Sequence, residues 1–497
     1  MPLHLTGLQP ELLLTIADAL GPDYTGLLDD DVQPKYDANG DRASDRDCKR
    51  KYRESESQKN ILSWSCTSKY FRALLSSYVF KTVILRNDEK SGASIDVISK
   101  HPDLEYCVRE IRFVGYAPGD ARRKDPAFGD TEHILPQNVT HLLSNLGRFR
   151  NLETLSIEFD YDFGDYREWE EEGVNPADEV EDLEEIRRKE GQEAWRALML
   201  KVWEAVCSND GTVVRKLAIE RLYYKEVSAF TTPVFHQFLS NLEDFSLSIY
   251  GGDNGAGWET KTCEIWSAFV AKLDEFFFDH LQRITSLTLK ATEEGPIGLE
   301  GMNHASLALR PDHMPHLKIV HLEYMFLSPE LRDFLVGHAS TLEEVHLRSC
   351  LAETDDSMAE DGLHWHELFD AISSARPSKL QIFKVTQERP ASLPESKRGY
   401  DKFDSKVQDE NETTLNAEIE QARETAEARE KRVWPHVTVD DKYGMLFEDE
   451  EENFLSFREG RDQEAFERLM SIVEGNAGGN EMLVDVRDSR GPKPQEW

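Results

Sequence analysis

Two histidine pairs, His313-x-x-His316 and His364-x-His366, have spacings that could ligate zinc. A zinc site of this kind needs a second Cys/His pair or the H-E-x-x-H pattern on one helix, and neither pair has one. Both pairs therefore read as ordinary histidines. Asp37-Ala38-Asn39-Gly40-Asp41 starts like a calcium loop, but Arg42 stands where the turn needs glycine and Cys48 where the ion needs a bidentate glutamate. The glycines between 251 and 257 are not followed by Gly-Lys-Ser/Thr, and no stretch reads G-x-S-x-G, so neither a phosphate cradle nor a nucleophile elbow is written into the chain. With 95 acidic residues, a pair of carboxylates can be nominated almost anywhere and says nothing without geometry. Lys49-Arg50-Lys51 reads as a solvated loop. The expectation is a non-catalytic protein with no cofactor and no metal.

The elements tell more than the isolated groups. In residues 8–20 (LQPELLLTIADAL), steps of 100° per residue put Glu11, Thr15 and Asp18 in one narrow wedge and apolar side chains around the rest. That apolar arc is about twice the roughly 100° stripe of an ordinary surface helix. Pro10 suits the first helical turn, and Gly21-Pro22 stops the helix. The next apolar segment, Asn60 to Phe80, carries Leu62, Cys66, Tyr70, Phe71, Leu74 and Leu75 at helical spacings, consistent with two consecutive short helices. Without the polar insert at 21–59, this module has only about 45 ordered residues, too few for a self-sufficient core, so a partner chain would complete its burial.

The run Leu8-x-Pro10-Glu11-Leu12-Leu13-x-x-Ile16-x-x-x-Leu20, followed by Leu62-Ser63-x-Ser65-Cys66-x-x-x-Tyr70-Phe71 and Val79-Phe80-Lys81-Thr82-Val83, resembles an F-box of the type common in fungal proteins. Members usually carry Leu-Pro where this chain has Leu8-Gln9, and space their helices more closely. The resemblance implies binding to the Skp-family adaptor of a cullin-RING ubiquitin ligase, with Leu8, Pro10, Leu12, Leu13, Ile16 and Leu62 as adaptor contacts. The other reading is a stand-alone interaction scaffold whose N-terminal helices merely seal a repeat array.

A net charge of -37 opposes attachment to nucleic acid or to an anionic membrane, because the summed field repels phosphates. Much of that charge lies in Asp160 to Glu190 and Asp449 to Glu452 and reads as solvated surface. The 31% charged residues and mean hydropathy of -0.58 imply long solvated segments. Six scattered cysteines lack C-x-x-C spacing and read as reduced thiols. There is no basic leader followed by an apolar run and no stretch long enough to span a bilayer, so an intracellular, soluble protein, cytoplasmic or nuclear, is expected.

From residue 80 onward a unit recurs: apolar, two others, apolar, one other, apolar. It appears as Phe80/Val83/Leu85, Val108/Ile111/Phe113, Leu152/Leu155/Ile157, Val214/Leu217/Ile219, Leu242/Phe245/Leu247, Ile284/Leu287/Leu289, Leu317/Val320/Leu322, Leu342/Val345/Leu347 and Leu380/Phe383/Val385. At 39% apolar content the bare pattern arises by chance at roughly 6% of positions, so context matters more than the tally. Four copies, NLETLSI, NLEDFSL, HLKIVHL and TLEEVHL, follow segments of helical or capping character. The pattern is that of the strand in a leucine-rich repeat, and it predicts an α/β architecture: a small helical module, then an irregular leucine-rich-repeat solenoid, then a charged, partly helical tail. Only Cys350 occupies the position where such repeats place asparagine. Outward strand residues such as Glu323, His346 and Arg348 would then face a protein client.

The expected boundaries are residues 1–85 for the helical module, 80–386 for the array and 387–497 for the tail. Within the array, Asp160 to Glu190 reads as a surface excursion before an amphipathic helix at Glu193 to Ser208, and Gly251 to Trp258 as a mobile loop before a helix near 259–273. In the tail, Glu410 to Arg432 favours an exposed helix. Trp434, Val437, Val439, Tyr443, Leu446, Phe447, Phe454, Leu455 and Phe457 could fold back to close the last apolar face. An enzyme is the remaining alternative and would need a deep pocket gathering perturbed ionisable groups.

Overall fold

Alternation along the nine apolar triplets builds the sheet. The computed structural model describes residues 56–118, 134–162, 180–209, 214–253, 257–354, 359–360, 362–394, 410–427 and 431–477. The last two residues of every triplet lie on a strand: β1 (Thr82–Arg86), β2 (Glu110–Pro118), β3 (Thr154–Asp162), β4 (Lys216–Leu222), β5 (Asp244–Ile249), β6 (Ser286–Lys290), β7 (Ile319–Glu323), β8 (Glu344–Arg348) and β9 (Ile382–Thr386). The nine strands form one sheet in chain order, and every pair within it is parallel. The register aligns equivalent residues, so that Leu289, Leu322, Leu347 and Val385 stand side by side. Their side chains face the core, while the intervening residues face the other way.

The structure is therefore an α/β fold built on a nine-stranded, all-parallel sheet with helices, and it corrects the expectation of an irregular leucine-rich-repeat solenoid. The triplet marks a short strand buried on one face, which any such sheet contains. A repeat array also needs connections of nearly constant length. Here one step runs from Ile319 to Glu344 and another from Thr154 to Lys216, the latter holding two helices, α5 (Leu183–Glu190) and α6 (Ala194–Cys207).

The earlier helices are α1 (Glu56–Ser65), α2 (Lys69–Val79), α3 (Glu89–Lys100) and α4 (Gln137–Leu143). After α6 come α7 (Pro233–Leu239), α8 (Glu264–Ala271), α9 (Pro329–Gly337) and α10 (Trp365–Ser374). Local chemistry starts several of them. The Asp88 carboxylate accepts from the Ser91 N–H at 2.8 Å at the head of α3, and Ser328 with Pro329 opens α9 in the same way. From α6, Leu198, Val202, Trp203 and Val206 enter the same core as the strand residues, as do Phe235 of α7, Phe269 of α8, Phe334 of α9 and Phe369 of α10.

The acidic stretch before α6 is not wholly a surface excursion. Glu190 is buried and accepts hydrogen bonds from the Ser228 N–H (2.6 Å) and hydroxyl (2.8 Å). Arg196 is fully buried, and its guanidinium donates to Glu181 and Glu193. A buried guanidinium needs such partners, which the insert supplies.

The tail contains α11 (Glu410–Glu427), β10 (His436–Val439), β11 (Leu446–Glu448), α12 (Glu450–Glu459) and α13 (Arg461–Asn476). β10 pairs in parallel with Ala352–Glu353 and antiparallel with β11. The Trp434 ring lies 5.1 Å from Trp365, 5.0 Å from Phe369 and 5.1 Å from Phe466. Ala465, Leu469 and Val473 project from one side of α13 into the main core. Val437, Val439 and Leu446 pack with Leu299 and Phe326, and Phe454 and Phe457 with Leu393, Ile419 and Ala422. Phe447 and Leu455, expected in this cap, stay exposed. At the outer strand, Arg432 donates to the Val385 carbonyl at 2.7 Å. The Asn476 amide donates to the carbonyls of Pro377 and Leu380 just before that strand.

Candidate functional site

Three places bring together the residue types singled out in the sequence. The first is the helix pair α1–α2. The Ser68 hydroxyl caps α2 by accepting from the Phe71 N–H at 3.1 Å. Phe71 and Leu75 form a small core with Trp64, Leu74 and Tyr78, separate from the core of the sheet. Leu62 is 42% exposed and Tyr70 45% exposed. Of the expected adaptor contacts, Leu62 is placed; Leu8, Pro10, Leu12, Leu13 and Ile16 lie outside the described residues, as does the calcium-like loop at 37–48.

The second place is the polar face of the sheet, where the outward residues of each strand fall into rows. Thr288, His321, His346 and Lys384 form one row, and Lys290, Glu323, Arg348 and Thr386 the next. The three expected client-binding residues, Glu323, His346 and Arg348, thus lie on adjacent strands of one patch. Arg348 reaches Glu323 at 3.4 Å and Glu388 at 2.7 Å. The Tyr324 hydroxyl donates to Glu388 at 2.6 Å, and burial together with that bond raises its pKa far above the ordinary tyrosine range. His346 Nε2 and a Glu344 carboxylate oxygen are 2.5 Å apart, and the His321 and His346 rings are 4.3 Å apart. Burial, then the neighbouring His346, pushes His321 down to about 4. Charge therefore alternates across neighbouring strands along Lys290, Glu323 and Arg348.

The third place is a histidine cluster that the sequence reading only half found. His313 and His316 do not come together as ligands: buried His313 is 2.9 Å from Asp279 and accepts from the Arg310 N–H at 3.0 Å, while His316 is exposed. His364 and His366 diverge in role. The N–H and Nδ1 of His366 approach an Asp462 oxygen at 2.8 and 3.0 Å. His364, at the head of α10, stands with His436 of β10 and Glu452 of α12, each offering a donor atom within 4.8 Å of the others. No sequence spacing could join His364 to His436 and Glu452, because the folding back of the tail creates the neighbourhood.

Two hollows lie apart from these places. One, lined by Val180, Glu181, Tyr224, Glu226, Ile265, Ala268 and Phe269, has a volume of about 10 Å³, room for one water. A more open one of about 350 Å³ carries Lys100, Arg148 and Arg150, whose charges are already paired with Asp96, Asp96 and Glu105. Among the described residues no helix is long and apolar enough to cross a membrane. No known protein family, curated protein or solved structure matches the chain.

Proposed function

We propose that this chain is a non-catalytic substrate receptor of a cullin-RING ubiquitin ligase, attached to an Skp-family adaptor through its N-terminal helices. The observation that carries the reading is the α1–α2 pair, with exposed Leu62 and Tyr70 over a cluster in which Phe71 and Leu75 are buried and Trp64, Leu74 and Tyr78 only partly so. Helices with so little of their own core gain most from an apolar surface supplied by another chain. The F-box resemblance of residues 8–20 and 62–83 names the kind of surface. Glu323, His346 and Arg348 on the polar sheet face are assigned to a protein client. Holding that client near a charged ubiquitin-conjugating enzyme raises its effective concentration, so rate follows from position without catalytic residues in this chain.

Co-purification of the full chain with an Skp-family adaptor tests the proposal. Leu13→Asp combined with Ile16→Asp is expected to abolish capture, and Leu62→Asp to weaken it, since a central apolar contact contributes about 2 kcal/mol or more. Undiminished capture by the double variant would remove the docking face. Failure of the unaltered chain to bind would favour the stand-alone scaffold.

A further inference from the structure

His436 is fully buried, and its Nδ1 lies 3.0 Å from the Trp434 carbonyl oxygen. A carbonyl can only accept, so Nδ1 carries the proton and Nε2 presents a bare lone pair. Among the described residues that buried Nε2 has no hydrogen-bond partner, and the nearest carboxylate oxygen, from Asp462, is 3.8 Å away and is itself an acceptor. Orphaned buried polar atoms are costly and uncommon in folded proteins. His436, His364 and Glu452 each offer one ligand atom within 4.8 Å of the other two, and a cation held there through Nε2 would satisfy the orphan.

We propose that His364, His436 and Glu452 form a binding site for a zinc-class divalent cation that fastens the tail to the sheet domain. Two imidazoles and one carboxylate are a donor set suited to zinc. His364 and Glu452 are half-buried, which leaves a fourth position open to water. The Trp434 carbonyl orients the His436 ring as outer partners of zinc-bound histidines do. Acidic neighbours favour the cation: Glu450 and Glu451 share the first turn of α12 with Glu452, and Asp462 lies beside His436. The three ligands come from the residue capping α10, from β10 and from α12, so the ion would close a long loop between residues 364 and 452. Among the described residues a second histidine cluster of similar compactness, His321, Glu344 and His346, suits a cation less well. His346 already engages Glu344 at 2.5 Å, and Lys290 and Lys384 oppose positive charge at His321.

The test is titration of the chelator-treated full chain with zinc chloride, followed by calorimetry and by thermal unfolding, with cobalt(II) absorption reporting the donor set. One saturable equivalent and a higher melting temperature are expected. Glu452→Gln and His364→Gln, both at half-buried positions, should each weaken zinc binding about tenfold or more, while His346→Gln leaves it unchanged. Circular dichroism of the metal-free variants separates ligand loss from misfolding, which matters most for buried His436→Gln. The proposal is overturned if the chain shows no saturable equivalent, if folded Glu452→Gln and His364→Gln bind zinc as tightly as the unaltered chain, or if His346→Gln is the variant that loses it. Adaptor capture is independent of every one of these outcomes.

Discussion

His321 is held neutral by its surroundings, and that makes acid a specific stress for this fold. In an unfolded chain its imidazole titrates near 6.5; in the folded chain burial, then His346, lowers it to about 4. Between those values the unfolded state takes up a proton that the folded state refuses. The contribution is therefore fully present above pH 6.5 and lost as pH falls toward 4. Replacing His321 with Gln should reduce the loss of urea resistance between pH 7 and pH 5. An equally steep loss in the variant would show that His321 is not the group responsible. His236, His313 and His436 are also held below their ordinary value, chiefly by burial, so the slope should shrink without vanishing. At this scale the sequence was informative wherever alternation alone decides direction: Glu323, His346 and Arg348 face outward because Leu322, Val345 and Leu347 face inward. It was silent on His436 and Asp462, which acquire meaning only from residues far away along the chain.

Among the elements, the segment before β7 turns on positive-φ glycines, Gly298 and Gly301. Gly298 has φ +149, a conformation that side chains other than glycine's rarely adopt, and a Cβ there would meet the Phe326 carbonyl oxygen at 2.6 Å. The close approach exists because Ile297 and Met325 form a parallel bridge, with the Phe326 N–H donating to the Ile297 carbonyl at 2.8 Å. Gly298→Ala should therefore destabilise the fold by about 2 kcal/mol, read as a lower urea midpoint; an unchanged midpoint would mean that the backbone relaxes freely there. The strands were legible because each needs only two buried residues in alternation. α6 was legible because Leu198, Val202 and Val206 recur every four residues. The architecture joining them was misjudged because a triplet specifies a strand's buried face and nothing about the length of the next connection. Ala352–Glu353, two residues long, leaves no periodic trace at all, yet it anchors β10.

For the molecule as a whole, the tail completes the core. Trp434 is almost wholly covered and packs on Trp365, Phe369 and Phe466, so Trp434→Ala should cost about 4 kcal/mol and expose the amides of β9 to exchange. Phe447→Ala, at a side chain 53% exposed, should change stability by less than about 0.5 kcal/mol, and equal effects of the two would contradict the assigned packing. The sequence suggested that residues from Trp434 onward fold back, but α13 escaped notice because its inward residues, Ala465, Leu469 and Val473, are thinly spread among charges. That arrangement also orders events at the ribosome. Val385 emerges well before Val473, and at roughly 5–20 residues per second the last layer of the sheet waits on the order of ten seconds for its cover. A nascent chain of this design presents a sticky, unfinished flank throughout that pause, so its yield in a cell should depend on holdase chaperones acting before termination.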